Sequence, residues 1–214
     1  MYAALSRHLD YELRIHYGDA YYHPILLAET DLVDHTKLRE QFQSTQPQNK
    51  RLSSLLSFAR FTGVPLWNNR TYRIPNFKSI PLAQPKDDDL EDITPHWEKV
   101  YHLSKWLEDG TVLGTMAIKS DYTESLRDQT VYKGTGELET STHSVVILGL
   151  RALDPHQAAR YGCEPGTYVI YQDMAAGPNY EGFFGTGRNM APLGIFLKIY
   201  QVKVSIPNEL RGRA

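Results

Sequence analysis

Apolar residues recur at intervals of three and four along the first half of the chain, and in short continuous runs along the second. Tyr2, Leu5, Leu9, Leu13 and His16 or Tyr17 fall on one helical face with Gly18-Asp19 behind them, which predicts a helix over residues 2–17. After Pro24, Leu26-Leu27-Ala28 leads into Glu29-Thr30-Asp31-Leu32-Val33, read as a short helical turn. Residues 36–50, rich in Gln, Lys and Ser, are expected to form a loop. Leu52, Leu55, Leu56 and Ala59 then share one face of a helix over 51–62, with Gly63 as its stop. Residues 64–93 hold four prolines and no clear period, and mark a boundary between two lobes. A further helix follows, with Thr94 as N-cap, Pro95 at the first helical position, Val100, Leu103 and Leu107 in register, and Gly110 past its end.

From Thr111 the pattern changes. Residues 111–119, 144–150, 167–171 and 193–204 are rich in β-branched, aromatic and aliphatic side chains and predict strands separated by glycine-bearing loops. The chemistry sits at the ends of two of these runs. His143 opens the run Ser144-Val145-Val146-Ile147-Leu148, and Asp173 closes the run Tyr168-Val169-Ile170-Tyr171-Gln172. If the two pair as antiparallel strands, imidazole and carboxylate meet at the same end of one hairpin, as an orienting acid meets a base.

Composition narrows the picture modestly. The chain has 214 residues, 41% of them hydrophobic and 22% charged, enough for a large core in one domain or two small lobes. A formal net charge of −2 gives no electrostatic case for nucleic acid or an anionic membrane, and the 14 tyrosines are scattered rather than interleaved with basic residues. No apolar run reaches transmembrane length. The single cysteine, Cys163, excludes an intrachain disulfide and favours a reducing, cytoplasmic location. The acidic run 87–92 lacks cation-loop spacing and reads as solvated loop. The histidine pairs His8/His16 and His96/His102 lack the spacing of a helical zinc site, so no metal or cofactor is expected. Gly134-Thr135-Gly136 and Gly185-Thr186-Gly187 read as loop turns, and Trp67, Trp97 and Trp106 as core or lobe-interface residues.

Taken together, several blocks resemble the papain-like cysteine peptidase family. They are Trp106-Leu107-Glu108-Asp109-Gly110, the strand after it, Asp121-Tyr122 in the place of an Asp-Phe pair, Val131-Tyr132, and His143-Ser144-Val145-Val146-Ile147-Leu148-Gly149. Tyr168-Val169-Ile170-Tyr171-Gln172-Asp173, Gly177 and Glu181-Gly182-Phe183-Phe184 complete the second half. Residues 26–34, with His35, and 55–64 are similar to family segments in the first half, so the likeness covers residues 1–185.

The resemblance implies an α+β, two-lobed papain-like fold. A helical N-terminal lobe would span 1–93, an antiparallel β-barrel-like C-terminal lobe 94–205, and a short basic tail 206–214. It implies that His143 is the catalytic base and Asp173, standing where asparagine is usual, its orienting partner. It also implies a peptide or protein ligand held in a cleft between the lobes.

Two departures bear on activity. The family's nucleophilic cysteine would fall at Met1-Tyr2-Ala3-Ala4-Leu5-Ser6, at Met1 or just before it, and the oxyanion-hole glutamine would lie further upstream. Cys163 is no substitute: six or seven strand residues at ~3.3 Å each put it about 20 Å from the histidine. Ser6 reads as a solvated or back-bonded hydroxyl on a helix flank. Three functions remain: a cysteine peptidase whose nucleophile comes from an upstream segment or partner, a pseudopeptidase that binds without cutting, and a non-peptidase enzyme using a His-Asp acid/base dyad on a small molecule.

Overall fold

A computed structural model describes residues 1–17, 33–48, 51–66, 71–82, 96–173, 184 and 187–205. The chain divides into two compact units, Met1–Lys78 with Gln201–Ala214, and Ser79–Tyr200. Six α-helices and a large sheet make the fold mixed α+β among the described residues.

The first unit begins with α1 (Tyr2–Tyr17), on which Leu5, Leu9 and Leu13 are buried as their spacing requires. Residues 36–50 are not the loop their polarity suggests: α2 spans His35–Thr45. Asp34 caps it, its side chain accepting from the Lys37 N–H at 3.0 Å, and Leu38 and Phe42, one turn apart, anchor it in the core. Phe42 meets Tyr2 and Phe58 edge-on, with ring centroids 6.0 and 5.5 Å apart. Helix α3 (Leu52–Phe61) buries Leu52, Leu55, Leu56, Phe58 and Ala59. Gly63 ends it with φ +101°, its N–H donating to the Phe58 carbonyl, and a Cβ there would lie 2.3 Å from the Thr71 methyl. The proline-rich stretch that follows carries strands: β1 (Val64–Pro65) pairs with β2 (Thr71–Tyr72), and β3 (Asn76–Pro81) joins the large sheet.

That sheet has six strands in the order β3-β8-β4-β5-β6-β7. Its members beyond β3 are β4 (Val112–Lys119), β5 (Leu138–Leu153), β6 (Gly166–Gln172), β7 (Arg188–Pro192) and β8 (Phe196–Lys203). Antiparallel ladders link β8 to β4, β4 to β5, β5 to β6 and β6 to β7. Against the sheet packs α4 (His96–Asp109), with Leu103 buried and Val100, Trp106 and Leu107 partly so. Trp97 on the same helix is 69% exposed and belongs to no core. Short helices α5 (Tyr122–Asp128) and α6 (Pro155–Tyr161) fill the β4–β5 and β5–β6 connections. The core of the second unit gathers Met116, Val145, Ile147, Tyr171, Phe196 and Ile199 on one face of the sheet. Gly114 belongs to this packing, since a Cβ there would stand 2.7 Å from the Ile147 δ-methyl.

The turn expected over Glu29–Val33 lies outside the described residues except for Val33, which forms an antiparallel bridge with Leu66. The acidic run 87–92, Thr94-Pro95, Trp67 and the tail 206–214 also lie outside them.

Among the buried polar groups of α1, His8 has a testable consequence. It is 0% exposed, and burial pushes its imidazole down to about 3. Between that value and the ordinary 6.5 the unfolded chain binds a proton that the folded chain refuses, so stability is whole above pH 6.5 and falls as pH drops below it. We expect a loss of about 1.4 kcal/mol per pH unit from this residue. Urea denaturation of the wild-type chain and of His8→Gln from pH 7 to 4.5 checks it. Equal pH slopes in the two proteins would refute the assignment.

Candidate active site

His143 lies inside β5 rather than at its start, because the polar run Glu139-Thr140-Ser141-Thr142, with its two β-branched threonines, extends the strand back to Leu138. Register then dictates what it meets. His143 stands opposite Met116 on β4, and Val146 and Ile147 stand opposite Gln172 and Tyr171 on β6. Side chains alternate between faces, so His143, Val145 and Ile147 share the core face with Tyr171 and with Asp173 just beyond the end of β6. Imidazole and carboxylate are thus diagonal neighbours on adjoining strands, a separation that these two side chains span.

They do span it. His143 Nε2 lies 2.8 Å from Asp173 Oδ1. The Asp173 side chain is 0% exposed and that of His143 16%, so the carboxylate is sealed while the ring keeps an edge toward solvent. The Asp173 backbone is fixed from the other side, its N–H donating to the carbonyl of Gly187, which enters β7 with φ +72°. Nδ1 of His143 has no hydrogen-bond partner among the described residues.

A third side chain joins the pair. Ser120 and Asp121 follow β4, and Asp121 Oδ2 accepts from the backbone N–H and hydroxyl of Thr135 at 2.9 and 3.0 Å, which ties the start of α5 to the Gly134-Thr135-Gly136 turn. Tyr122, buried on α5, donates its hydroxyl to Asp173 Oδ2, and its ring tilts over His143 with centroids 5.4 Å apart. Tyr132 backs it at 5.1 Å. Tyr132 itself is bound through its hydroxyl, which accepts from the Lys119 N–H at 2.9 Å and donates to the Ala117 carbonyl at 3.3 Å, and burial pushes its phenol up to about 12. The sequence drew attention to Asp121-Tyr122 as a block but not to the tyrosine's part in the site; the available signal was a hydroxyl where the resemblance implies phenylalanine.

The alternative nucleophiles do not join this group. Cys163 follows α6, in the connection at the other end of the β5–β6 ladder, where Leu153 pairs with Gly166. It packs against the small cluster of Leu153, Ala158 and Tyr168, with its thiol 3.7 Å from the Ala158 carbonyl. The phenol of Tyr168 is raised by burial and further by the neighbouring thiol. Ser6 is neither solvated nor bonded back along its helix: it is fully buried and donates to the Val33 carbonyl at 3.1 Å, a structural link between distant segments. Gly177 and Glu181-Gly182-Phe183 lie outside the described residues. Of the histidine pairs, His8 is buried and His102 Nε2 lies 3.5 Å from Glu98 Oε1 on the same helix. Among the described residues no three His, Cys, Asp or Glu side chains come together as metal ligands, and no helix is long and apolar enough to cross a membrane.

The fold is similar to that of bromelain. The bromelain protease from Ananas comosus, solved in complex with the E64 inhibitor, superposes with a TM-score of 0.55 at 11% identity, covering 95% of this chain and 88% of that one. Bromelain is a papain-like cysteine protease, so at this identity the likeness establishes a papain-like fold and nothing finer. SERA5E from Plasmodium falciparum aligns at 13% identity over 72% of this chain and 68% of its own, with a TM-score of 0.35 that supports no argument. No protein-family model matches the sequence, and no curated protein does.

The buried carboxylate gives the site a measurable stake in stability. Asp173→Ala takes an acceptor from both the Tyr122 hydroxyl and His143 Nε2, and is expected to cost about 1–3 kcal/mol. Chemical denaturation at pH 7 measures it, and a change below a few tenths would show that these hydrogen bonds contribute little.

Proposed function

We propose that the chain is a papain-like peptide-binding protein, related in fold to the cysteine peptidases, in which His143 and Asp173 act as base and orienting acid. The observation that carries this reading is the 2.8 Å contact between a part-exposed imidazole and a fully buried carboxylate, in a chain of bromelain-like fold. Asp173 holds the Nε2 edge of the ring and leaves Nδ1 to accept a proton from a thiol, a water or a bound ligand. The thiol is not Cys163, which sits at the opposite end of the β5–β6 ladder. A chain so equipped binds a peptide or protein ligand beside His143, and cuts it only where another segment or partner supplies the sulfur.

E64 and a labelled peptide library test this together. Intact-mass analysis is expected to show no E64 adduct on Cys163. His143→Ala is expected to weaken peptide binding about 3- to 10-fold, the worth of one hydrogen bond. An adduct on Cys163, or peptide affinity indifferent to His143, sinks the reading.

One observation favours a second reading, an acid/base enzyme acting on a small molecule. Tyr122, Asp173 and His143 form a hydrogen-bonded set that needs no thiol. On that reading turnover survives Cys163→Ser and disappears in His143→Ala.

A further inference from the structure

Both oxygens of the Asp173 carboxylate are engaged, and by different residues. Oδ1 faces His143 Nε2 at 2.8 Å, and Oδ2 accepts from the Tyr122 hydroxyl. Tyr122 also touches the imidazole directly, the two rings inclined at 48° with centroids 5.4 Å apart. One side chain therefore contacts both members of the pair. Packing alone does not explain the hydroxyl, since the bare ring would fill the same space between Tyr132 and His143.

A phenol donating to Oδ2 takes up part of the carboxylate's negative charge. Oδ1 is left with less of it, so the carboxylate stabilises an imidazolium less than it would unaided.

We propose that Tyr122 is a positioning residue of the site, a third member that bonds the second oxygen of Asp173 and tempers its pull on the imidazole. The proposal rests on reading His143 and Asp173 as base and orienting acid. Its support is also mechanical. The start of α5 is pinned by the Asp121 contacts to Thr135, and the Tyr122 ring is braced edge-on by Tyr132 at 5.1 Å, so the hydroxyl is delivered from a fixed platform.

The titratable groups at the start of α5 and along it have neighbours of their own. On α5, Asp121 is bonded to Thr135 and Glu124 lies 3.8 Å from Arg127. The Tyr132 hydroxyl bonds the Lys119 N–H and the Ala117 carbonyl. Met116 is what β4 places opposite His143, and Arg188 is what β7 places opposite Gln172.

The test follows the His143 ring protons by NMR through a pH titration of the full chain, with His143→Gln to assign the signal. Tyr122→Phe keeps the ring and removes the donor. It is expected to raise the midpoint of the His143 titration by about half to one pH unit, and Asp173→Asn to lower it. A folded Tyr122→Phe chain with an unmoved or lowered midpoint overturns the proposal. If that variant does not fold, 3-fluorotyrosine placed at position 122 makes a stronger donor and is expected to lower the midpoint; no movement there overturns it equally.

None of these readouts needs a substrate. A shifted midpoint in a chain that binds no peptide keeps Tyr122 in its role and removes the peptide-binding reading. An unmoved midpoint with peptide binding intact does the reverse.

Discussion

A carboxylate taken out of water must be met by donors, and the buried Asp173 is the constraint on which the site depends. The donors come from separate parts of the chain. His143 is carried by β5 and Tyr122 by α5, while the backbone of Asp173 is held by the approach to β7. Each of those elements has to be in place before the charge can be buried. The site is therefore a product of the assembled sheet, and it cannot form from the local sequence around either residue.

What assembles the sheet is ordinary packing. Val145, Ile147 and Tyr171 bury one face, and that choice of face decides where His143 and Asp173 point, because alternate residues on a strand go to the same side. The hydrophobic core and the polar pair are one continuous surface. Gly114 on β4 makes room for Ile147, and Tyr132 lends its ring to the Tyr122 contact while its own hydroxyl closes two backbone groups of β4. Changes well inside the core thus reach the imidazole through very few intermediaries.

Much of this was legible in the sequence. The strands around His143 and before Asp173 were marked by runs of β-branched and aromatic residues, and the antiparallel pairing supposed for those runs is the one that β5 and β6 adopt. Helices α1, α3 and α4 showed in apolar spacing. Helix α2 did not, because its apolar signal is only Leu38 and Phe42 amid polar residues, and its stability comes from the Asp34 cap and from tertiary burial. Strand β3 was hidden by prolines and by its partial exposure. Trp97 misled through size: a large aromatic ring reads as core, yet this one faces out. Ser6 and Tyr122 share a reason for being missed, since each makes a contact across many residues of sequence that no local pattern encodes.

The two irregularities in the pairing of β5 bracket the site. Against β4 the register shifts between Ala117 and Lys119, and against β6 it shifts between Ile147 and Gly149. Between those points, from Thr142 to Ile147, the ladder with β4 is unbroken. An insertion or deletion outside the bracket can be taken up where the ladder is already irregular. A change of one residue inside it would turn His143 to the opposite face of the sheet. The strand therefore behaves like a ruled scale with slack at both ends and none in the middle. Descendants of this sequence are free to vary in loop and strand length around the site while the histidine stays in frame.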